Sequence, residues 1–127
     1  MTCSDLHRWY PRPVFFVANL PRSLAFYVER LGFAKTWHEG DGLGTVAQVD
    51  RSDCEIILAQ DATRAAAARL FIELTPVGLQ ALRRELEDRA VPHSLERWGY
   101  DVVVVRDPDG HELLFPIDGT ADGGETA

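Results

Sequence analysis

Apolar positions along the chain fall into short blocks, and the order of blocks occurs twice. Pro13 to Ala18 is β-branched and aromatic and predicts a strand. Asn19 can cap a following helix, and Pro21 fits its first turn. Leu24, Tyr27, Val28 and Leu31 then recur at i, i+3, i+4 and i+7, giving one apolar helical face, and Gly32 suits its end. Phe33 to Glu39 predicts a second strand with Phe33, Lys35, Trp37 and Glu39 on one face. Gly40 to Gly44 is a flexible turn. Thr45 to Asp50 and Glu55 to Gln60 are the third and fourth strands, joined by a tight turn at Arg51 to Asp53.

After an alanine-rich linker, Asp61 to Ala68, which could form a short helix, the pattern restarts. Leu70 to Pro76 repeats the character of Phe15 to Pro21. Thr75 can cap and Pro76 can open a helix whose inner face is Leu79, Leu82 and Leu86. Ser94 to Trp98, Asp101 to Arg106 and His111 to Pro116 are three more strands. Four consecutive valines, Val102 to Val105, read as a strand covered on both faces. Asp107-Pro108-Asp109-Gly110 supplies the turn to the last strand. The prediction is an α+β chain of two βαβββ modules.

This places residues 13–60 in module one, 61–68 in the linker and 69–118 in module two of a single domain. An N-terminal tail (1–12) and a disordered C-terminal tail (119–127) flank it. A length of 127 residues allows a real core. A net charge of −7 argues against nucleic-acid and anionic-membrane partners and would suit a cationic ligand. Cys3 and Cys54 lack metal spacing and read as reduced thiols. With no signal-peptide pattern and no membrane-length apolar run, a cytoplasmic protein is expected.

Two stretches carry a family resemblance. Arg106-Asp-Pro-Asp-Gly110 before a short apolar strand resembles the C-terminal hairpin of the vicinal oxygen chelate superfamily, which includes glyoxalase I, extradiol dioxygenases and bleomycin-resistance proteins. Asn19 to Tyr27 leading to Leu31-Gly32-Phe33 resembles the first-module signature of the same group. The resemblance spans roughly Arg12 to Asp118. It implies two modules whose curved mixed sheets surround a cleft.

Catalytic members hold a divalent metal with His, Glu or Gln on the first, fourth, fifth and eighth strands. The corresponding positions here are Arg12, Ile57, Arg69 and Leu114, none of which supplies the needed donor. Glu55 and Glu112 stand two residues from the usual places, and a shifted site built on them would make the chain a lyase, isomerase or dioxygenase. His7, His38, His93 and His111 read as structural or surface residues rather than ligands. The resemblance therefore implies a metal-free binder without cofactor, closest to the bleomycin-resistance type, rather than an enzyme. A structural dimer without a small ligand is a third reading.

The expected ligand is a small or medium aromatic, cationic organic molecule, bound for antibiotic resistance or self-protection. In bleomycin-resistance relatives two chains form a homodimer with clefts at the interface, and the same is implied here. Trp98-Gly99-Tyr100 precedes the valine strand where that group also places a Trp-Gly pair, Trp37 lies where it places an aromatic on the second strand, and flat rings can stack on a planar cation. Trp37 reads equally as a core residue. Glu39, Asp41 and Glu112 are candidate anionic partners. Arg69 and Arg12 would pair with Glu73 or Glu112, or give the cavity an anion-binding spot. Asp107 and Asp109 read as turn residues. The expected ligand-binding set is Trp37, Glu39, Arg69, Trp98, Tyr100 and Glu112.

Overall fold

The repeated pattern folds into two four-stranded sheets of equivalent order. The computed structural model describes residues 9–64 and 66–117, except for the side chains of Trp98 and Tyr100. The tail residues 1–8 and 118–127, and the expectations placed on them, lie outside the described residues. Sheet one contains β1 (Val14–Val17), β2 (Ala34–His38), β3 (Val46–Arg51) and β4 (Cys54–Gln60), in the order β1-β4-β3-β2. Sheet two contains β5 (Arg69–Phe71), β6 (His93–Trp98), β7 (Tyr100–Arg106) and β8 (Glu112–Pro116), in the order β5-β8-β7-β6. In each sheet the first strand pairs parallel with the last, and the other pairings are antiparallel. A parallel pairing needs a long crossover, and each module's helix and the two strands that follow it in sequence supply it. Among the described residues no helix is long and apolar enough to cross a membrane.

Both helix starts follow from local chemistry. α1 (Leu20–Ala25) begins at Asn19, whose side chain accepts from the Arg22 N–H, and α2 (Pro76–Asp88) begins at Thr75, which accepts from Gly78. Pro21 and Pro76 stand where a missing N–H costs nothing. α1 continues as a π-helical turn over Phe26–Arg30 and stops at Gly32, whose φ of 74° is the left-handed conformation of a helix terminator. The linker forms no helix over its described residues; it is a turn at Ala62–Thr63 followed by irregular chain up to β5.

One core spans both modules. Phe15, Val17, Tyr27, Ile56 and Leu58 from module one join Leu82, Leu86, Val103, Leu113 and Phe115 from module two in a single buried cluster. Complete burial of such a side chain contributes roughly 1.5–3 kcal/mol. The alternation of the strands puts the remaining residues on the opposite, outer faces. The valine strand is buried on both sides, as its composition predicts: Val103 and Val105 face the main core, while Val102, Val104 and Leu114 form a second small cluster.

The two modules are latched by the turn after β7. Tyr27 Oη donates to Asp107 Oδ2 at 2.9 Å, while Asp107 Oδ1 accepts from the N–H groups of Asp109 and His111. Asp109 accepts from Ala18 N, Arg22 Nη2 and Ser23 Oγ at the start of α1. These aspartates are turn residues that also clamp module one's helix. Burial raises the Asp107 carboxyl above the ordinary range despite the Tyr27 hydrogen bond, and burial followed by Asp107 pushes the Tyr27 phenol up.

His111 closes the seam. It is 2 % exposed and stacks on Phe15 with ring centroids 4.5 Å apart. Its Nδ1 accepts from the Ala68 N–H at 2.8 Å, so the neutral ring carries its proton on Nε2, which donates to Phe16 O at 2.7 Å.

One sequence expectation is corrected in β2. Strict alternation would put Trp37 on the same face as Phe33 and Lys35. A bulge between Lys35 and Trp37 shifts the register, so Lys35 pairs with buried Val49 but Trp37 pairs with Gln48. Thr36, the extra residue, bonds Asp50 Oδ1. Trp37 is therefore turned to the outer face and is 53 % exposed, not a core residue.

Candidate functional site

The outer face of sheet one is built from aligned rows. Trp37 pairs with Gln48, Gln48 with Ile57 and Ile57 with Val14, so these four share a face. The adjacent row pairs Asp50 with Glu55. Gln48 ties the rows together: its Nε2 lies 2.9 Å from Asp50 Oδ1 and 3.0 Å from Glu55 Oε1, and its Oε1 accepts from Arg12 Nη1 at 2.7 Å. A hydrogen bond to Glu55 also raises the Tyr10 phenol, whose ring lies 5.6 Å from the Arg12 guanidinium carbon. The face thus presents an exposed indole beside two carboxylates held in place by an amide. A planar cation can stack on the indole and be attracted by the carboxylates.

The corresponding face of sheet two carries charge in an ion-pair chain. Arg69 Nε donates to Glu112 Oε1 at 2.9 Å, and Arg106 Nε donates to Glu112 Oε2 at 2.8 Å. Arg106 Nη2 continues to Glu96 Oε2 at 2.7 Å, which Ser94 also contacts. The Arg106 and Ser94 hydrogen bonds hold the Glu96 carboxyl below its usual range. Of the two partners open to Arg69 in the sequence, Glu112 is the one it takes. The two sheets show the repeat at residue level: Arg12 and Glu55 stand 57 positions before Arg69 and Glu112. Module two joins its pair directly, whereas module one routes the equivalent pair through Gln48.

The other expected residues are placed as follows. Glu39 begins a tight turn, Glu39–Gly42, whose Gly40 and Asp41 are left-handed, and its Oε1 accepts from the Thr45 N–H. Trp98 and Tyr100 are register partners on either side of Gly99, whose φ is 75°, at the β6–β7 tip. Their side chains lie outside the described part of the structure. Arg69 and Glu112 come together in sheet two, and Trp37 lies in sheet one. Asp50, Gln48 and Tyr10 were not singled out from sequence. The strand register links Asp50 and Gln48 to Trp37, Tyr10 joins them through Glu55, and the bulge that sets this register has no strong sequence signal.

The residues at the superfamily's metal positions do not fit a divalent ion. Arg12 is cationic, Ile57 and Leu114 have no donor atom, and Arg69 is ion-paired. The shifted alternative fares no better, because both oxygens of Glu112 already accept from guanidinium groups and Glu55 accepts from Gln48. Among the described residues no group of three His, Cys, Asp or Glu gathers at one point. His38 contacts Lys35 Nζ and Gly44 O, and His93 contacts Val91 O.

The family profile described as Glyoxalase/Bleomycin resistance protein/Dioxygenase superfamily matches residues 9–115. No curated protein matches the chain in sequence. Among solved structures, the bleomycin-binding protein of Streptomyces verticillus, complexed with copper(II)-bleomycin, is 24% identical with a TM-score of 0.67, over 86% of this chain and 95% of that one. The bleomycin resistance determinant encoded on transposon Tn5 is 19% identical with a TM-score of 0.67, over 84% and 94%. A lactoylglutathione lyase from Agrobacterium tumefaciens is 14% identical with a TM-score of 0.67, over 90% and 96%. At these identities the likeness establishes the fold, which binding proteins and a lyase share.

Proposed function

The chain belongs to the Glyoxalase/Bleomycin resistance protein/Dioxygenase superfamily, and from that premise we propose that it binds a small or medium aromatic, cationic organic molecule without transforming it. The observation that carries this reading is the exposed Trp37 indole on the same sheet face as Asp50 and Glu55. Sequestration needs affinity and a concave apolar surface, not a nucleophile or a metal. The donor set supports the non-catalytic side, since Arg12, Ile57, Arg69 and Leu114 stand where the lyase-type chemistry needs ligands.

The reading extends to a cytoplasmic homodimer with one domain over 13–118. In it, the outer face of one chain's sheet one meets the outer face of its partner's sheet two. Trp37 then forms one wall of the cleft, and the Trp98-Gly99-Tyr100 tip forms the other. Exposed Val14 and Trp37 on the outer face of sheet one and Phe71 on that of sheet two support a covered surface. The biological role would be antibiotic resistance or self-protection, with no cofactor and no nucleic-acid or membrane partner.

The charge part of this reading is tested with Asp50→Asn/Glu55→Gln. Bleomycin is the first probe, because two proteins of the same fold are solved with it. The double variant is expected to melt like the parent and to bind the cationic drug about tenfold more weakly, with a smaller salt dependence. Unchanged affinity and unchanged salt dependence would remove these carboxylates from the site.

A further inference from the structure

A cavity of about 900 Å³ opens between the modules, on the opposite side of the sheets from the face just described. Its walls are apolar: Leu31 and Phe33 after α1, Leu70 of β5 and Ile72 just after it, Leu82 of α2 and Phe115 of β8. Four of these, Leu31, Phe33, Leu82 and Phe115, are nearly inaccessible, and all six are apolar. An apolar cleft of this size, open on one side, lies in the range of small-molecule sites.

The rim is charged, and its balance is negative. Asp53, Glu55 and Glu73 stand at the mouth with Arg12 and Arg51. Arg51 is neutralised in a two-pronged pair with Glu85, at 3.1 and 3.0 Å, and also donates to Leu31 O. That leaves three carboxylates against Arg12. Among the described residues no side-chain hydrogen bond or ion pair engages Asp53 or Glu73. Half-buried Cys54 on the wall senses the same environment: burial, then Asp50 and Glu55, push its thiol up to about 11.

We propose that this cavity is a second binding site, for an amphiphilic amine whose hydrocarbon part enters between the modules and whose ammonium group rests at the Glu73 and Asp53 rim. It is separate from the outer face of sheet one and shares only Arg12 and Glu55 with it at the edge. It therefore stands whether or not that face binds a drug.

The test is calorimetric titration of the full chain with n-octylamine and with octanoate at pH 7, where both head groups are ionised. Octylamine is expected to bind at one site per chain, about tenfold more tightly than octanoate. Glu73→Gln/Asp53→Asn should narrow that preference without lowering the melting temperature. Ala81→Trp, which places an indole in the cavity from α2, should abolish binding while the protein still melts cooperatively. In a Cys3→Ser background, octylamine should slow alkylation of Cys54 by N-ethylmaleimide. Equal affinity for amine and carboxylate, or an alkylation rate untouched by octylamine, would overturn the proposal. So would loss of octylamine binding on Trp37→Ala, which would place the ligand on the sheet face. A cavity filled by the chain's own first eight residues would show as no octylamine binding by the full chain, with destabilisation when those residues are deleted, and also overturns it.

Discussion

Replacing His111 by alanine is expected to destabilise the fold by about 2–4 kcal/mol, the largest single effect in the chain outside the apolar core. The side chain is buried, and it is bonded at both ring nitrogens to different parts of the molecule. Alanine would leave the Ala68 N–H and the Phe16 carbonyl without partners, each costing about 1–3 kcal/mol where water cannot replace the imidazole. Both residues are near the surface of the seam, so part of that cost is recovered by hydration. The stack on Phe15 would also be lost. His111→Phe separates these contributions, because it keeps an aromatic ring beside Phe15 but satisfies neither backbone group. Urea denaturation followed by tryptophan fluorescence measures both variants. The expected order of stability is parent, then phenylalanine, then alanine. A phenylalanine variant as stable as the parent would show that the two hydrogen bonds do not hold the seam.

Replacing Trp37 by alanine is expected to weaken binding of a planar cationic ligand by about 5- to 150-fold, the equivalent of one aromatic stack worth on the order of 1–3 kcal/mol. The indole is half out of the protein, at an edge strand, and its backbone partner is Gln48 rather than a core residue. Its removal therefore takes little from the core, and the melting temperature should move by no more than a surface substitution would move it. This combination distinguishes a binding wall from a packing residue. Trp37→Phe should recover part of the affinity, because a smaller ring still stacks. A large fall in melting temperature with unchanged affinity per folded molecule would make Trp37 structural.

The two predictions draw on residues that were unequally legible in the sequence. The helices could be read because their signals are local: Asn19 and Thr75 cap, Pro21 and Pro76 follow, and the leucines repeat at helical spacing. The double module is legible because the same blocks recur, and Glu112 is one of the two carboxylates the sequence offers Arg69. The face on which Trp37 lies could not be read. A one-residue bulge reverses the alternation there, and no residue type announces it. The role of His111 was hidden for a different reason. Its place after the turn glycine suggests the start of a strand, but its partners, Phe16 and Ala68, are 95 and 43 residues away in sequence. Asp107 and Asp109 show both sides of this. Their turn chemistry is local, while their hold on Tyr27, Arg22 and Ser23 exists only once the modules meet.

The central claim is that the chain binds its ligand and leaves it unchanged, and equilibrium dialysis with mass analysis of the recovered compound addresses both parts. The protein is dialysed against bleomycin and related planar cationic compounds, and bound and free fractions are released by denaturation and weighed. The account predicts saturable uptake of at least one compound, reduced by Trp37→Ala, with recovered ligand of unaltered mass after prolonged incubation. Uptake of none of them above a denatured control, or recovery of a ligand changed in mass by the native protein alone, would contradict it.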